Sequence, residues 1–132
     1  MQQFIYRIQP IRLEMLTAGP TAHEESIVGE HFQYLKRLAA SGVVLMAGRT
    51  LNNDERTFGM IVFSASSKKE AAEIMRNDPA VRHGVMRAEL FPYRVALWSP
   101  KGPGDNETEA NQSPDPTPAS VTPAAGPPPR QP

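Results

Sequence analysis

Apolar residues recur along the first 98 positions at two spacings, one typical of strands and the other typical of helices. Short runs rich in β-branched and aromatic residues predict four strands, at Phe4–Ile8, Val43–Ala47, Arg56–Ala65 and Met86–Trp98. The second run is almost entirely apolar, which predicts a central, buried strand. In the last run every second residue from Glu89 to Leu97 shares one face, and Pro92 indicates an edge strand or a bulge.

The first predicted helix lies between the first two strands. Thr21 and Glu24 have the spacing of a capping box, and apolar residues then recur at helical intervals. Gly42 can adopt the left-handed conformation that ends a helix. The segment from Pro10 to Pro20 has no clear periodicity, and we interpret it as a long loop.

A second capping-box pattern, at Ser67 and Glu70, begins the other predicted helix. That helix ends at Asn77-Asp78-Pro79, because the residue before a proline avoids the helical region. A short irregular stretch then leads to Gly84. The order strand–helix–strand–strand–helix–strand predicts an α+β fold of the ferredoxin-like kind, a sandwich of one antiparallel sheet with both helices on one face.

The face of the sheet without helices is also predicted to be apolar, since Met60, Val62, Phe91 and Tyr93 lie on its strands. An apolar sheet surface of this size has to be covered by a partner, a ligand or another copy of the chain.

Proline divides the chain into two parts. Ten of the 14 prolines lie between Pro100 and Pro132, and no Leu, Ile, Met or aromatic residue occurs from Ser99 onward. Such a segment cannot bury enough apolar surface to offset the entropy of ordering it. We therefore predict one folded domain over residues 1–98 and a disordered, proline-rich tail over residues 99–132.

Composition excludes several classes of protein. The absence of cysteine excludes disulfides, thiolate nucleophiles and cysteine-ligated metals. No apolar run approaches the ~20 residues of a membrane span, and no signal peptide is evident. These features predict a cytoplasmic protein with no membrane partner.

A nucleic-acid partner is not expected either. Residues Arg56–Phe63 come close to the RNP1 pattern of RNA-recognition domains, but Thr57 replaces its glycine and Met60 one of its stacking aromatics. The domain carries twelve Lys and Arg against ten Asp and Glu, so phosphate attraction is weak. Strand packing alone accounts for the run.

His31 is the most informative candidate for chemistry, because it lies on the apolar stripe of the first helix between Ile27 and Leu35. One interpretation is a structural histidine bonded to a carbonyl. The other is a general base whose proton affinity is set by a carboxylate. Asp78 is the candidate carboxylate, although an aspartate before a proline is also a common turn former.

Other sites are poorly supported. His23 and His31 do not share a clean helical face and His83 stands apart, so we predict no metal site. Arg49 and Arg56 flank the predicted hairpin turn, and either could meet a carboxylate or a phenolate.

The whole pattern resembles the YCII-related (YciI-like) domain family. The resemblance spans roughly Gln3 to Leu97, and five segments carry it: Glu30–Leu35, Gly42–Thr50, Phe58–Phe63, Asn77–Ala80 and Ala88–Tyr93. It implies a dimeric α+β barrel in which two ferredoxin-like sheets pack face to face.

The resemblance also implies a function. His31 and Asp78 match the family's proposed His–Asp active-site pair. Independently of the resemblance, Arg49 is a candidate anion contact, and Tyr6 and Tyr34 are candidate polar contacts to the substrate. Relatives include a dehydrochlorinase that acts on a chlorinated hydroxyquinol, and the family is similar to muconolactone isomerases. The expectation is a homodimeric, cofactor-free lyase or isomerase that transfers a proton on a small cyclic or aromatic molecule. The alternative is a non-catalytic module with the same barrel that binds a small molecule or a partner.

Overall fold

The computed structural model describes residues 1–104, of which Met1–Trp98 form one compact unit. Its elements in chain order are β1 (Gln2–Pro10), α1 (Glu14–Thr17), α2 (Ala22–Ala40), β2 (Val44–Arg49), β3 (Gly59–Ala65), α3 (Lys68–Arg76), α4 (Pro79–Arg82) and β4 (Met86–Tyr93). Beyond this unit the described residues make a turn closed by the Gly102 N–H on the Ser99 carbonyl, at 3.1 Å. The predicted disorder of residues 105–132 lies outside the described residues.

The four strands form one antiparallel sheet in the order β2-β3-β1-β4. This order confirms the ferredoxin-like α+β fold, with β1 between β3 and β4 and with β2 and β3 as a hairpin. Pro92 lies on β4, an edge strand, as its lack of an N–H requires. Within residues 1–104 no helix is both long and apolar enough to cross a membrane.

The prediction that the second strand is central was wrong, because β2 is the other edge of the sheet. Val44 is buried beneath the helices, whereas the side chain of Met46 remains 44% exposed on the opposite face. The run is apolar because both faces of the sheet are apolar. A sequence with that property cannot be distinguished from a strand buried at the centre.

Several predicted boundaries also differ. β3 begins at Gly59 rather than Arg56, and β4 ends at Tyr93, so the alternation that continues to Leu97 is not part of the strand. Two short helices, α1 and α4, replace segments interpreted as loop. α1 has no side-chain cap; Met15 packs there against Ile27 and Val85, so a tertiary contact accompanies it.

The core lies between the sheet and the helices, and β1 supplies its centre. Alternate residues of β1, Phe4, Tyr6 and Ile8, are buried, as expected for a strand with one face on the core. Phe63 of β3 packs between the first two, with ring centroids 6.0 Å from Phe4 and 5.5 Å from Tyr6. The edge-to-face contact with Tyr6 fixes a phenol ring in the interior.

The capping box of α2 is present as predicted. Thr21 Oγ1 accepts from the Glu24 N–H at 3.1 Å, and the Glu24 carboxylate accepts from the Thr21 N–H at 2.9 Å. Arg12 also donates two bonds of 2.8 Å to this carboxylate, and they hold the pKa of Glu24 down to about 2. This ion pair connects the segment after β1 to the start of α2.

The capping box predicted for α3 is only half formed. Ser67 Oγ accepts from the Glu70 N–H at 3.1 Å, as expected. The Glu70 carboxylate, however, bonds to Ser66 rather than to the Ser67 N–H. The first residue of the box alone is enough to start the helix here.

Candidate functional site

The fold brings His31 and Asp78 into direct contact. His31 Nδ1 lies 2.7 Å from Asp78 Oδ1 and 2.9 Å from Oδ2. His31 faces inward because it lies four residues after Ile27 and four before Leu35, both buried on the same stripe of α2. Asp78 lies at the N-cap of α4, where Pro79 at the first helical position fixes the direction of the chain.

The Asp78 carboxylate is fully buried, at 0% exposure, and two further donors surround it. The Tyr6 hydroxyl donates to Oδ2 at 2.6 Å, and the backbone N–H of Ala80 donates to Oδ1 at 2.9 Å. An ionised carboxylate can only accept hydrogen bonds. The ring therefore faces it with Nδ1–H, which leaves His31 Nε2 as the nitrogen that can accept or release a proton.

Tyr6 approaches the carboxylate from the sheet side. Burial, and after it the negative charge of Asp78, raise the pKa of its phenol far above the ordinary value. The hydroxyl accordingly stays protonated and remains a donor. Because its side chain is fully buried, Tyr6 faces Asp78 in this structure rather than an opening to solvent.

Tyr34, which was expected beside the substrate, is half-buried on α2. Its hydroxyl donates to the Ile74 carbonyl at 2.7 Å and so connects α2 to α3. Burial, assisted by the charge of Asp78, raises the pKa of Tyr34 to about 12. A substrate contact by Tyr34 stays a prediction.

Arg49 ends β2, and its guanidinium donates to the Thr50 carbonyl and to Asn53 Oδ1, both at 2.9 Å. These bonds hold the loop that follows β2, whereas the pair is held by β1, α2 and α4. An anion contact by Arg49 also stays a prediction.

The side chain of His31 is 12% exposed, whereas that of Asp78 is fully buried. A groove of 490 Å³ lies along α2 and reaches Pro79, the residue after Asp78. Glu30, Gln33 and Arg37 are among the residues that line it, and His31 is not.

Within residues 1–104, no group of three or more His, Cys, Asp or Glu side chains could hold a metal ion. His23 and His83 are exposed, His23 on α2 and His83 at the end of α4. The candidate site contains an imidazole and a carboxylate in direct contact.

Two features of the site were missed from the sequence. The Ala80 N–H on Asp78 had a local signal, since aspartate followed by proline is a typical helix start, but the four-residue α4 was interpreted as irregular. The bond from Tyr6 to Asp78 had no such signal, because the two residues are 72 positions apart.

Comparison with known proteins gives a family and a fold. Residues 12–94 match the family model of the YCII-related domain. No curated protein sequence matches the chain significantly. Among solved structures, the chain is similar to 5-chloro-2-hydroxyhydroquinone dehydrochlorinase from Burkholderia phenoliruptrix, determined in complex with 2,5-dihydroxybenzoquinone. The match has 22% identity and a TM-score of 0.51, and it covers 71% of this chain and 94% of the other. At this identity the similarity shows a shared fold.

Proposed function

We propose that this chain, which belongs to the YCII-related domain family, is a small enzyme of the lyase or isomerase type. His31 transfers a proton on a small cyclic or aromatic substrate, and Asp78 orients and charges the imidazole. The observation that carries the proposal is the fully buried Asp78 carboxylate on Nδ1, which leaves Nε2 for proton transfer on a side chain that is 12% exposed.

The proposed reaction requires only the side chains of this chain and the substrate. His31 Nε2 takes a proton from a carbon or hydroxyl of the substrate, and the electron pair left behind forms a new double bond. In a lyase a leaving group such as chloride departs with its own bonding pair, and the imidazolium then releases its proton to water. In an isomerase the imidazolium returns the proton to another carbon. Neither path needs a cofactor, so the proposal includes none.

The structural neighbour suggests which compounds to test as substrates. That protein is a dehydrochlorinase with a hydroxylated quinone bound, and it shares this fold over most of its length. Hydroxylated or chlorinated ring compounds are therefore the first candidates for this chain. Rings that carry hydroxyl groups offer acidic protons, which suit a base of imidazole strength.

We also propose that this chain forms a homodimer through the face of its sheet that the helices do not cover. Met46, Val62, Ile5 and Phe91 pair in register and form one apolar row across all four strands. Phe91 is 42% exposed at one end of this row, and Tyr93 beside it is also exposed. A second copy presenting the same row would cover this face symmetrically.

The dimer is tested by placing a charge in the row. Phe91→Glu should raise the dimer dissociation constant about tenfold or more, because a carboxylate would be buried against the apolar partner face. Sedimentation velocity over a range of concentrations measures the shift. Lys36→Glu, on the exposed face of α2, is the control and should sediment like the wild type. A wild-type chain that stays monomeric throughout would remove the dimer from the proposal.

The enzyme proposal is tested by ligand binding first. We would measure thermal unfolding with 2,5-dihydroxybenzoquinone, chlorinated hydroquinones and small lactones, using the wild type, His31→Gln and His23→Gln. A ligand at 100 times its dissociation constant stabilises a protein by about 2.7 kcal/mol, which for a domain of this size raises the melting temperature by ~10 °C or more. The expected result is a compound that stabilises the wild type and His23→Gln but not His31→Gln.

The alternative outcomes are distinct. Equal stabilisation of all three proteins, or of none, would make His31 structural and overturn the proposal. A compound that binds through His31 but is never converted, as followed by NMR of the reaction mixture, would favour the non-catalytic binding module.

A further inference from the structure

The buried position of Tyr6 and its hydrogen bond to Asp78 are not explained by a contact with the substrate. Its side chain is fully buried, and its hydroxyl lies 2.6 Å from Asp78 Oδ2. We propose that Tyr6 is a positioning residue that acts through Asp78 and sets how tightly His31 holds its proton. The consequence for turnover rests on the proposed function, whereas the effect on His31 itself does not.

Three hydrogen-bonding groups contact the two carboxylate oxygens of Asp78. Oδ1 accepts from the Ala80 N–H and faces His31 Nδ1, and Oδ2 accepts from the Tyr6 O–H and faces the same Nδ1. A donor to a carboxylate stabilises its negative charge. Removing the Tyr6 hydroxyl leaves the carboxylate more basic, so the imidazolium opposite it becomes more stable.

Tyr6 can act in this way because it is held in place. Tyr6 lies on β1 at the centre of the sheet, where it pairs with Ile61 of β3 on one side and with Leu90 of β4 on the other. The ring of Phe63 contacts it edge to face at 5.5 Å. Burial and the charge of Asp78 raise the pKa of Tyr6 far above its ordinary value, so its hydroxyl stays a donor across the neutral pH range.

The other ionisable groups around Asp78 provide the control. His31 and Tyr34 approach from α2 and Tyr6 approaches from β1, while Arg37 of α2 lies near Tyr34 and acts against the rise in its pKa. Tyr34 feels the charge of Asp78, but its hydroxyl donates to the Ile74 carbonyl. Tyr34→Phe therefore removes a phenol from the same neighbourhood without removing a donor from Asp78.

The experiment is an NMR titration of the His31 ring in the wild type, Tyr6→Phe and Tyr34→Phe. The midpoint should move upward by about 0.5 to 1 pH unit in Tyr6→Phe, because part of a charge-assisted hydrogen bond is lost. In Tyr34→Phe it should move far less. An unchanged midpoint in Tyr6→Phe, or equal movement in both variants, overturns the proposal.

A second measurement covers the case in which Tyr6→Phe does not fold. In the wild type, the hydroxyl proton of Tyr6 should shift with pH at the same midpoint as the His31 ring, because both bind one carboxylate. A resonance that stays constant through the titration of His31 overturns the proposal. Since both readouts need no substrate, they distinguish this inference from a failure of the enzyme proposal.

Discussion

Turnover of the compound found by ligand screening falls by about 10²- to 10⁴-fold in His31→Gln, which corresponds to a barrier about 3 to 5 kcal/mol higher. Glutamine keeps a polar side chain of similar length but cannot accept and return a proton near neutral pH. The loss should appear in kcat as well as in KM, since the screen selects a compound that His31 also holds and the proton moves only in the transition state. Steady-state kinetics on purified protein measures both constants.

His23→Gln is the matched control for that substitution, because His23 lies on the same helix but is exposed. It should leave kcat unchanged. A His31→Gln variant that keeps wild-type kcat, with the fold verified by circular dichroism, would show that the proton moves elsewhere.

The second large effect is on stability. Asp78→Ala should lower the free energy of unfolding by about 3 kcal/mol, because the Tyr6 O–H and the Ala80 N–H lose their buried acceptor and α4 loses its N-cap. For a folded domain of this size that is a fall of ~10 °C or more in melting temperature. Urea denaturation of the wild type and the variant gives the difference directly.

Asp78→Asn separates the hydrogen bonds from the charge. Asparagine keeps the volume and the N-cap oxygen, and the Tyr6 hydroxyl can rotate to accept from its amide, so the cost should be about 1 kcal/mol. If alanine and asparagine cost the same, the orphaned donors of Tyr6 and Ala80 are not what destabilises the alanine variant. Turnover should fall in both, because neither holds the Nδ1–H of His31 with a negative charge.

Most of the fold could be predicted from local patterns. The Thr21–Glu24 capping box, the end of α2 at Gly42 with φ of 86°, and the alternation in β1 depend on residues close in sequence. The predictions were wrong where two different structural environments produce the same hydrophobic pattern. The apolar run of β2 is consistent with a buried strand and equally with an edge strand whose outer face is apolar.

The candidate site could be predicted only in part. Periodicity indicated that His31 faces the interior, and the proline after Asp78 indicated a fixed chain direction. The resemblance to a family then suggested that the two act together. Nothing local indicated that Tyr6 would complete the carboxylate's hydrogen bonds, because an aromatic residue on a strand also fits simple core packing.

The sequence by itself determined the order of the four strands and two longer helices, which residues of β1 and α2 face inward, and that His31 and Asp78 are the residues to examine. Caps, turns and alternation are short-range effects, so they can be read from neighbouring residues. Only the tertiary structure decided that His31 and Asp78, 47 positions apart, come into contact, with Nδ1 2.7 Å from Oδ1. The same is true of the hydrogen bond from the Tyr6 hydroxyl to that carboxylate. These contacts depend on the strand order β2-β3-β1-β4 and on the packing of α2 against α4. Those long-range contacts arise from the folded chain as a whole, and the spacing of residues within one element does not encode them.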